Sequence, residues 1–301
     1  MNKLMLALTF ALALAYGTAA QGQGLERVAA RCDLPTGWSE VAKLEPRFVV
    51  FGELHGTNEG PRFVGALACA LAQRNKRVLV AIEHNASDNA ALQAAWNSDE
   101  FEEKLASLGF AGRSDGIASM AMFDMALELH LLKESGLPVA IVAFNGFEDE
   151  RQRYRFADLP GQGPHEAAQA ENIANASMAQ SYDYVLVLVG NLHARKTPIS
   201  RNGNEFDPMA RRLLQYGKVV SLNMRYAGGA SWNCLLKPGA DRTTKAIAQG
   251  DLDCGQHPSK GEPSLGPAMF IGLEEAKVDG RLTFDGFFWV GPISASPPKI
   301  P

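Results

Sequence analysis

The sequence predicts an α/β fold: a single domain with a mostly parallel central sheet flanked by helices, and with helical and disulfide-pinned loop insertions. Two observations support this. Short apolar runs rich in β-branched residues, at 47–51, 76–82 and 184–189, are typical of strands covered on both faces of a parallel sheet. Stretches with apolar residues at helical spacing alternate with these runs, and such alternation favours right-handed crossovers between parallel strands.

The remaining elements follow from the same patterns. Further strands are predicted at 139–144 and 218–222, and two edge strands at 268–271 and 284–290. Helices are predicted where apolar residues recur at helical intervals, over 61–75, 101–105, 117–132, 165–180 and 208–216. Segments rich in Gly and Pro predict a loop or short cover at 146–164 and an excursion with two cysteines at 227–266. No second independent domain is indicated.

The first twenty residues have the features of a signal peptide. Lys3 gives a positively charged start, residues 4–16 are apolar, and residues 18–20 are small, as a cleavage site requires. The apolar run is too short and too Ala-rich for a membrane span. We therefore predict a signal peptide over 1–20 and one mature domain over 21–301. The mature protein is expected to be exported, periplasmic or secreted, with no stable membrane insertion after cleavage.

Composition and charge narrow the class of partner. The chain has 29 basic and 33 acidic residues, a formal net charge of −4, and an apolar content of 46%, which is ordinary for a globular protein. No basic stripe is present, so nucleic-acid binding has no electrostatic basis. The same balance argues against recruitment to anionic membranes. A small-molecule or peptide substrate is the expected partner.

Four cysteines in an exported chain predict two disulfides. Four cysteines allow three connectivities. The pairing Cys32–Cys69 with Cys234–Cys254 joins the cysteines that are closest in sequence. None has the C-x-x-C spacing of a zinc ribbon or a redox site, so a structural role is predicted.

Two matching motifs, Gly52-Glu-Leu-His55 and Gly190-Asn-Leu-His193, each follow a predicted buried strand. A Gly there permits a sharp exit from the strand, and the His then stands at its carboxyl end. Ligands of open α/β sheets bind at that end. A satisfied, half-buried imidazole is the plain alternative for either His alone. The repetition favours two imidazoles that face each other across one crevice.

Glu83 follows a third predicted strand, so its carboxylate is expected to meet His55 and His193. Such a set suits two kinds of chemistry. One has a His as general base, with the carboxylate fixing its tautomer and stabilising the imidazolium. The other has all three side chains as ligands of a divalent metal with open positions for water. A helix cap or a salt bridge is the plain alternative for Glu83.

Other polar residues near these motifs have weaker signals. Glu53 and Asn191 lie inside the two turns and are predicted substrate contacts, although Asn also favours tight turns. His84 has the opposite strand parity to Glu83, so at most it supports the site from behind. His130 lies in an apolar helical stretch, where packing is the expected role. No Gly-x-Ser-x-Gly, P-loop, His-Glu-x-x-His or dinucleotide-binding glycine pattern occurs.

The chain resembles the erythromycin-esterase/ChaN/Tiki superfamily in the order of three features: the first Gly-x-x-His motif, Glu83 and the second Gly-x-x-His motif. The resemblance extends to residues 115–122 and 206–210, so ordered matches span about 47–235. It implies a parallel α/β core with helical insertions and an active crevice containing His55, Glu83 and His193. Relatives include metal-independent esterases, metal-dependent proteases and haem-binding proteins.

One position departs from the pattern of this superfamily. Members often carry an Arg followed by an acid on the helix before the last Gly-x-x-His strand, and here His165 and Glu166 stand there. The loss of the Arg removes a fixed cation that could bind an anion or hold a carboxylate. His165 replaces that cation only when it is protonated. Glu166 is predicted to contact the substrate.

The preferred hypothesis is an exported hydrolase acting on an ester or amide bond. His55 is the general base for water, Glu83 orients it or stabilises its charge, and His193 assists the oxyanion or the leaving group. If a metal is bound, these three residues are its ligands. The cofactor therefore stays open, with a divalent metal ahead of haem.

Two rival hypotheses belong to other classes. One is a haem- or iron-binding exported protein, with a surface-exposed Tyr226 or His84 as axial ligand. The other is a catalytically silent binding module.

Overall fold

The computed structural model describes residues 32–110, 116–239, 249–274 and 282–299. The predicted signal peptide, Asp115 of the matching segment 115–122, and residues 240–248 of the cysteine-containing excursion lie outside the described residues. Within the described ranges, no helix is both long enough and apolar enough to cross a membrane.

A seven-stranded sheet is the centre of the fold. The strands are β1 (Phe48–Glu53), β2 (Val78–Asn85), β3 (Val139–Asn145), β4 (Tyr184–Gly190), β5 (Ile199–Arg201), β6 (Asn204–Phe206), β7 (Val219–Arg225), β8 (Gly229–Leu236), β9 (Leu252–Ser259), β10 (Phe270–Leu273) and β11 (Gly286–Trp289). The central sheet has the order β10-β11-β7-β1-β4-β2-β3. Its neighbours pair in parallel except β10 and β11. The predicted α/β fold class is confirmed.

The helices lie between these strands in sequence. They are α1 (Trp38–Lys43), α2 (Glu59–Ala72), α3 (Asn89–Trp96), α4 (Phe101–Leu105), α5 (Met120–Glu134), α6 (Glu150–Arg155), α7 (Gly163–Ala179) and α8 (Met209–Leu213). Helix α5 begins where the Ser119 hydroxyl accepts the Met122 N–H, after a 3₁₀ turn at 116–118. Helix α6 corrects the prediction of a loop at 146–164, because the Asp149 carboxylate caps it at the Gln152 N–H.

Two apolar clusters cover the two faces of the sheet, because successive strand residues point to opposite sides. Val49 and Phe51 of β1 pack with residues of α2 and α5 in one cluster. Phe48 and Val50 pack with residues of α7 and α8 in the other. Burial on both faces explains why these strands are continuously apolar in sequence.

The strand register brings three strand ends to one level. In β1, Glu53 pairs with Gly190 of β4, and Ile82 of β2 pairs with Leu188 of the same strand. The register between β2 and β3 shifts between Ile82 and Asn85. The carboxyl ends of β1, β4 and β2 therefore lie side by side.

Three features differ from the sequence predictions or extend them. Strand β10 is at the edge as predicted, but β11 is not, because it pairs with β7 on one side and β10 on the other. Two small hairpins, β5–β6 and β8–β9, were not predicted. Disulfides join Cys32 to Cys69 and Cys234 to Cys254, the pairing expected from sequence proximity.

Candidate functional site

The carboxylate of Glu83 lies between two imidazoles at the carboxyl ends of β1, β4 and β2. Its Oε2 is 3.3 Å from His55 Nε2, and its Oε1 is 3.8 Å from His193 Nε2. The Gly190 N–H donates to Oε2 at 2.8 Å, which fixes the carboxylate. Glu83 belongs to β2 instead of following it, close to the shift in register. The structure therefore brings together the three residues predicted from the sequence.

Each motif glycine leaves room for a residue in or next to the other motif. A Cβ on Gly190 would lie 2.6 Å from His55 Nε2, so the second motif leaves room for the histidine of the first. A Cβ on Gly52 would lie 2.7 Å from the Cβ of Ala194 and 3.0 Å from the Cα of Asn191. Both glycines are strand residues, and neither is among those with positive φ. The motif glycines permit close approach, which corrects the expectation of a sharp exit from the strand.

Glu53 orients His55. Its Oε1 is 3.0 Å from His55 Nδ1, and its side chain is buried against Gly60 at the start of α2. No hydrogen-bond partner is found for its buried Oε2 among the described residues. The predicted substrate contact is therefore corrected, because this carboxylate faces the protein interior and holds the imidazole.

Glu166 orients His193 in the same way. Its Oε1 is 2.7 Å from His193 Nδ1, and its Oε2 accepts the Met209 N–H at 2.8 Å. The Glu166 side chain is 0% exposed, so its predicted role as a substrate contact is also corrected. Sequence offered one signal for this role: an acid followed by two alanines in the first turn of a helix. Asn191, by contrast, is exposed beside His193, where a substrate contact remains a prediction.

A third imidazole, His165, lies next to His193, with 5.9 Å between ring centroids. It belongs to the first turn of α7. Its Nε2 is 3.1 Å from Gln169 Nε2, and the same amide nitrogen donates to Asn145 Oδ1 at 2.9 Å. Sequence analysis noted His165 only as the replacement for an Arg.

His55 and Glu83 stabilise the charged form of each other. Burial alone would lower the pKa of His55, but the charge of Glu83 and the hydrogen bond to Glu53 raise it to about 10. Burial would raise the pKa of Glu83, but the charge and hydrogen bond of His55 lower it to about 2. At neutral pH the pair is therefore an imidazolium bonded to a carboxylate.

The other imidazoles respond to their own neighbours. Burial disfavours the charged form of His193, but its hydrogen bond to Glu166 and the charge of Glu83 raise its pKa. Burial lowers the pKa of His165. His165 is therefore neutral at pH 7 and does not supply the cation that the missing Arg would provide. Burial also raises the pKa of Glu53.

The metal alternative rests on the same three side chains. Among the described residues, no group of three His, Cys, Asp or Glu side chains is placed to hold a metal ion. The Nε2 atoms of both histidines face the Glu83 carboxylate, at 3.3 Å for His55 and 3.8 Å for His193.

The histidines outside the site have separate roles. His84 is buried, 3.5 Å from Asp88, so it does not fit the exposed axial haem ligand considered for it. Tyr226 is partly exposed. His130 stacks on Phe101 with 4.3 Å between ring centroids, in the packing role expected from sequence.

Comparison with known proteins identifies the fold. No protein-family model matches the chain. No curated protein is significantly similar to it. An erythromycin esterase, EreC, in its open conformation has a TM-score of 0.57 and 12% identity, over 90% of this chain and 97% of that one. A succinoglycan biosynthesis protein has a TM-score of 0.53 and 11% identity, over 94% and 99%. A Bacillus cereus protein has a TM-score of 0.50 and 10% identity, over 92% and 98%.

The chain therefore shares the fold of an erythromycin esterase, as the motif resemblance implied. Identities of this size show the fold alone.

Proposed function

We propose that the protein is an exported hydrolase that adds water to an ester or amide carbonyl on this erythromycin-esterase-like fold. One observation supports this above all others. The Nε2 atoms of His55 and His193 face one buried carboxylate, that of Glu83. A second carboxylate is hydrogen-bonded to Nδ1 of each ring, Glu53 for His55 and Glu166 for His193. A pair of histidines oriented in this way suits one proton acceptor and one proton donor on either side of a reacting carbonyl.

The raised pKa of each histidine decides how the reaction would proceed. His55, paired with Glu83, holds a proton at neutral pH, so it becomes a base only in the fraction that has lost it. In that form Nε2 accepts a proton from water while the water oxygen bonds to the carbonyl carbon. His193, whose pKa is raised by Glu166, gives its Nε2 proton to the leaving oxygen or nitrogen as that bond breaks.

Glu83, Glu53 and Glu166 are the positioning residues of this mechanism. Glu83 stabilises the imidazolium that forms at His55 when it takes the proton of water. Glu53 and Glu166 fix the ring orientations through Nδ1. Asn191, exposed at the start of the second turn, is the proposed substrate contact.

Hydrolysis is tested with the mature chain, residues 21–301. The substrates are neutral chromogenic esters, anilides and erythromycin, since one protein of this fold is an erythromycin esterase. We expect turnover that falls by about 10²-fold or more in His55→Ala and in His193→Ala. His257→Ala is the matched control, because this side chain of β9 contacts the Asp253 carbonyl and none of the site residues. Equal activity in all four proteins would overturn the proposal.

The export part of the proposal has a separate basis. The two disulfides are typical of proteins from oxidising compartments. Residues 1–20 carry the signal-peptide pattern. Expression of the full chain in a bacterial host, followed by mass determination of the periplasmic protein, is expected to find a chain that begins at Gln21. A chain that keeps Met1 and stays in the cytoplasm would contradict export.

A further inference from the structure

Among the described residues, the His165 ring has a hydrogen-bonding partner at Nε2 and none at Nδ1. Gln169 Nε2, which is wholly buried, is 3.1 Å from His165 Nε2 and 2.9 Å from Asn145 Oδ1. Gln169 Oε1 is buried with no partner among the described residues. If the amide were reversed, the buried group without a partner would be an NH₂ with two unused donors in place of one oxygen. The observed orientation is therefore the less costly one.

This orientation assigns the proton of His165. An amide N–H that points at Nε2 requires Nε2 to be an acceptor, and the neutral ring then carries its proton on Nδ1. The edge of the His165 ring that carries Cε1 and Nδ1 lies beside Gly146. A Cβ added to Gly146 would be 3.7 Å from Cε1 and 3.9 Å from Nδ1. No hydrogen bond to Nδ1 is found in the described part of the chain.

The position of His165 on its helix also favours the neutral imidazole. It is the third residue of the seventeen-residue helix α7, whose N-terminal end disfavours a positive charge. The charged groups that act on the ring are Glu166 and Glu83, which favour the imidazolium, and His193, which opposes it. Burial outweighs the two carboxylates, so the ring stays neutral. A neutral imidazole at a helix N-terminus is a known device for polarising a carbonyl group.

We propose that His165 is a third catalytic residue, a neutral Nδ1–H donor to the substrate carbonyl oxygen, held in that tautomer by Gln169 and Asn145. This rests on the proposed hydrolysis. As the water oxygen bonds to the carbonyl carbon, the electron pair of the C=O double bond moves onto oxygen. That oxygen accepts the hydrogen bond, and the proton stays on His165. A neutral donor favours an uncharged ester or amide over a substrate with an anion at this point.

Three substitutions at one position separate a donor from a structural side chain. The amide nitrogen of Asn lies close to the Nδ1 position of His, and that of Gln lies close to Nε2. We expect His165→Ala and His165→Gln to lower kcat by about 10²–10³-fold, the effect of removing one oxyanion donor, with little change in KM. His165→Asn is expected to keep most of the kcat. His257→Asn is the control. An equal loss in all three variants, or no loss in any, would overturn the donor role.

A spectroscopic measurement decides the tautomer without any substrate. In ¹⁵N-histidine-labelled mature protein near neutral pH, the His165 signals, assigned by their absence in His165→Asn, are expected to show a protonated Nδ1 and a bare Nε2. Gln169→Leu removes the amide donor and is expected to give a mixture of tautomers. A protonated Nε2, or an imidazolium, would overturn the inference. If no ester or amide is cleaved by the wild type, the proposed function fails, and the tautomer is still decided by this spectrum.

Discussion

The Nε2 atom of His55 occupies the space that a Cβ on Gly190 would need, at 2.6 Å. The ring therefore packs on the backbone at the end of the neighbouring strand. The N–H of the same glycine donates to Glu83, the partner of that ring. One glycine thus sets the position of both the histidine and the carboxylate. Its requirement is steric, since its φ is not in the left-handed region.

Gly190→Ala tests this packing. A methyl group there must displace the His55 ring, so we expect hydrolysis to fall about 100-fold, as for a misplacement of about 1 Å in a reacting group. The fold should persist, because the contact is with a part-exposed side chain. The measurements are kcat/KM and the thermal unfolding midpoint of the purified variant.

Gly255→Ala is the control for this substitution. Gly255 lies in β9, has no positive φ, and would have nothing within 4 Å of an added Cβ. Its activity and unfolding midpoint should match those of the wild type. If Gly190→Ala were as active as this control, the close packing would have no bearing on catalysis.

Glu166→Gln is expected to reduce both stability and the pKa of His193. Gln has one oxygen where Glu has two, so it cannot accept both the Met209 N–H and the Nδ1–H of a protonated His193, and one buried donor loses its partner, at about 1–3 kcal/mol of unfolding free energy. The pKa of His193 should fall toward its ordinary value, because the hydrogen bond from Glu166 raises it. Denaturant unfolding and an NMR titration of His193 measure the two effects. Glu150→Gln, at an exposed carboxylate, should leave both unchanged.

Stability should depend on pH through the His55–Glu83 pair. The folded pKa of His55, about 10, exceeds its ordinary 6.5, so its contribution is complete below pH 6.5 and is lost as the pH rises through 10. The folded pKa of Glu83, about 2, is below its ordinary 4.5, so its contribution is complete above pH 4.5 and is lost as the pH falls through 2. Glu83→Gln should remove the acid dependence from the curve of unfolding free energy against pH and weaken the alkaline one, because Glu53 still raises the pKa of His55. An unchanged curve would show that the pair is not formed.

Activity should carry the pKa of both imidazoles. His55 acts as a base only when deprotonated and His193 as an acid only when protonated. We therefore expect kcat/KM to rise up to the pKa of His193, which lies above its ordinary value, and to fall above about pH 10, the pKa of His55. Glu53→Gln removes a hydrogen bond and a charge that both raise the pKa of His55, so the falling limb should move to lower pH. A wild-type profile without a falling limb near pH 10 would contradict the assignment of these two roles.

Much of the fold follows from local patterns in the sequence. The buried strands at 47–51, 76–82 and 184–189 are apolar throughout because both faces of the sheet are covered, so the pattern that predicts them is local. The hairpins β5–β6 and β8–β9 were missed because their strands are short or partly exposed and carry mixed polar residues. The interior place of β11 depends on its pairing with β7, which no local pattern contains.

The meeting of His55, Glu83 and His193 could be predicted because the ends of parallel strands share one edge. The roles of Glu53 and Glu166 could not, because their burial is set by other elements. A Cβ on Gly60 of α2 would lie 2.3 Å from Glu53 Oε2, and Met209 of α8 donates to Glu166. Only the packed structure shows that both carboxylates face the interior.

The strand order has a consequence for how the protein acquires its activity. Strands β1 and β4 are hydrogen-bonded neighbours, yet β2, β3 and their helices separate them along the chain. Contacts between residues so distant in sequence form slowly during folding. His55 reaches its place only after Gly190 has docked beside β1. During refolding, catalytic activity should therefore return with the last phase, after most of the helical signal has recovered.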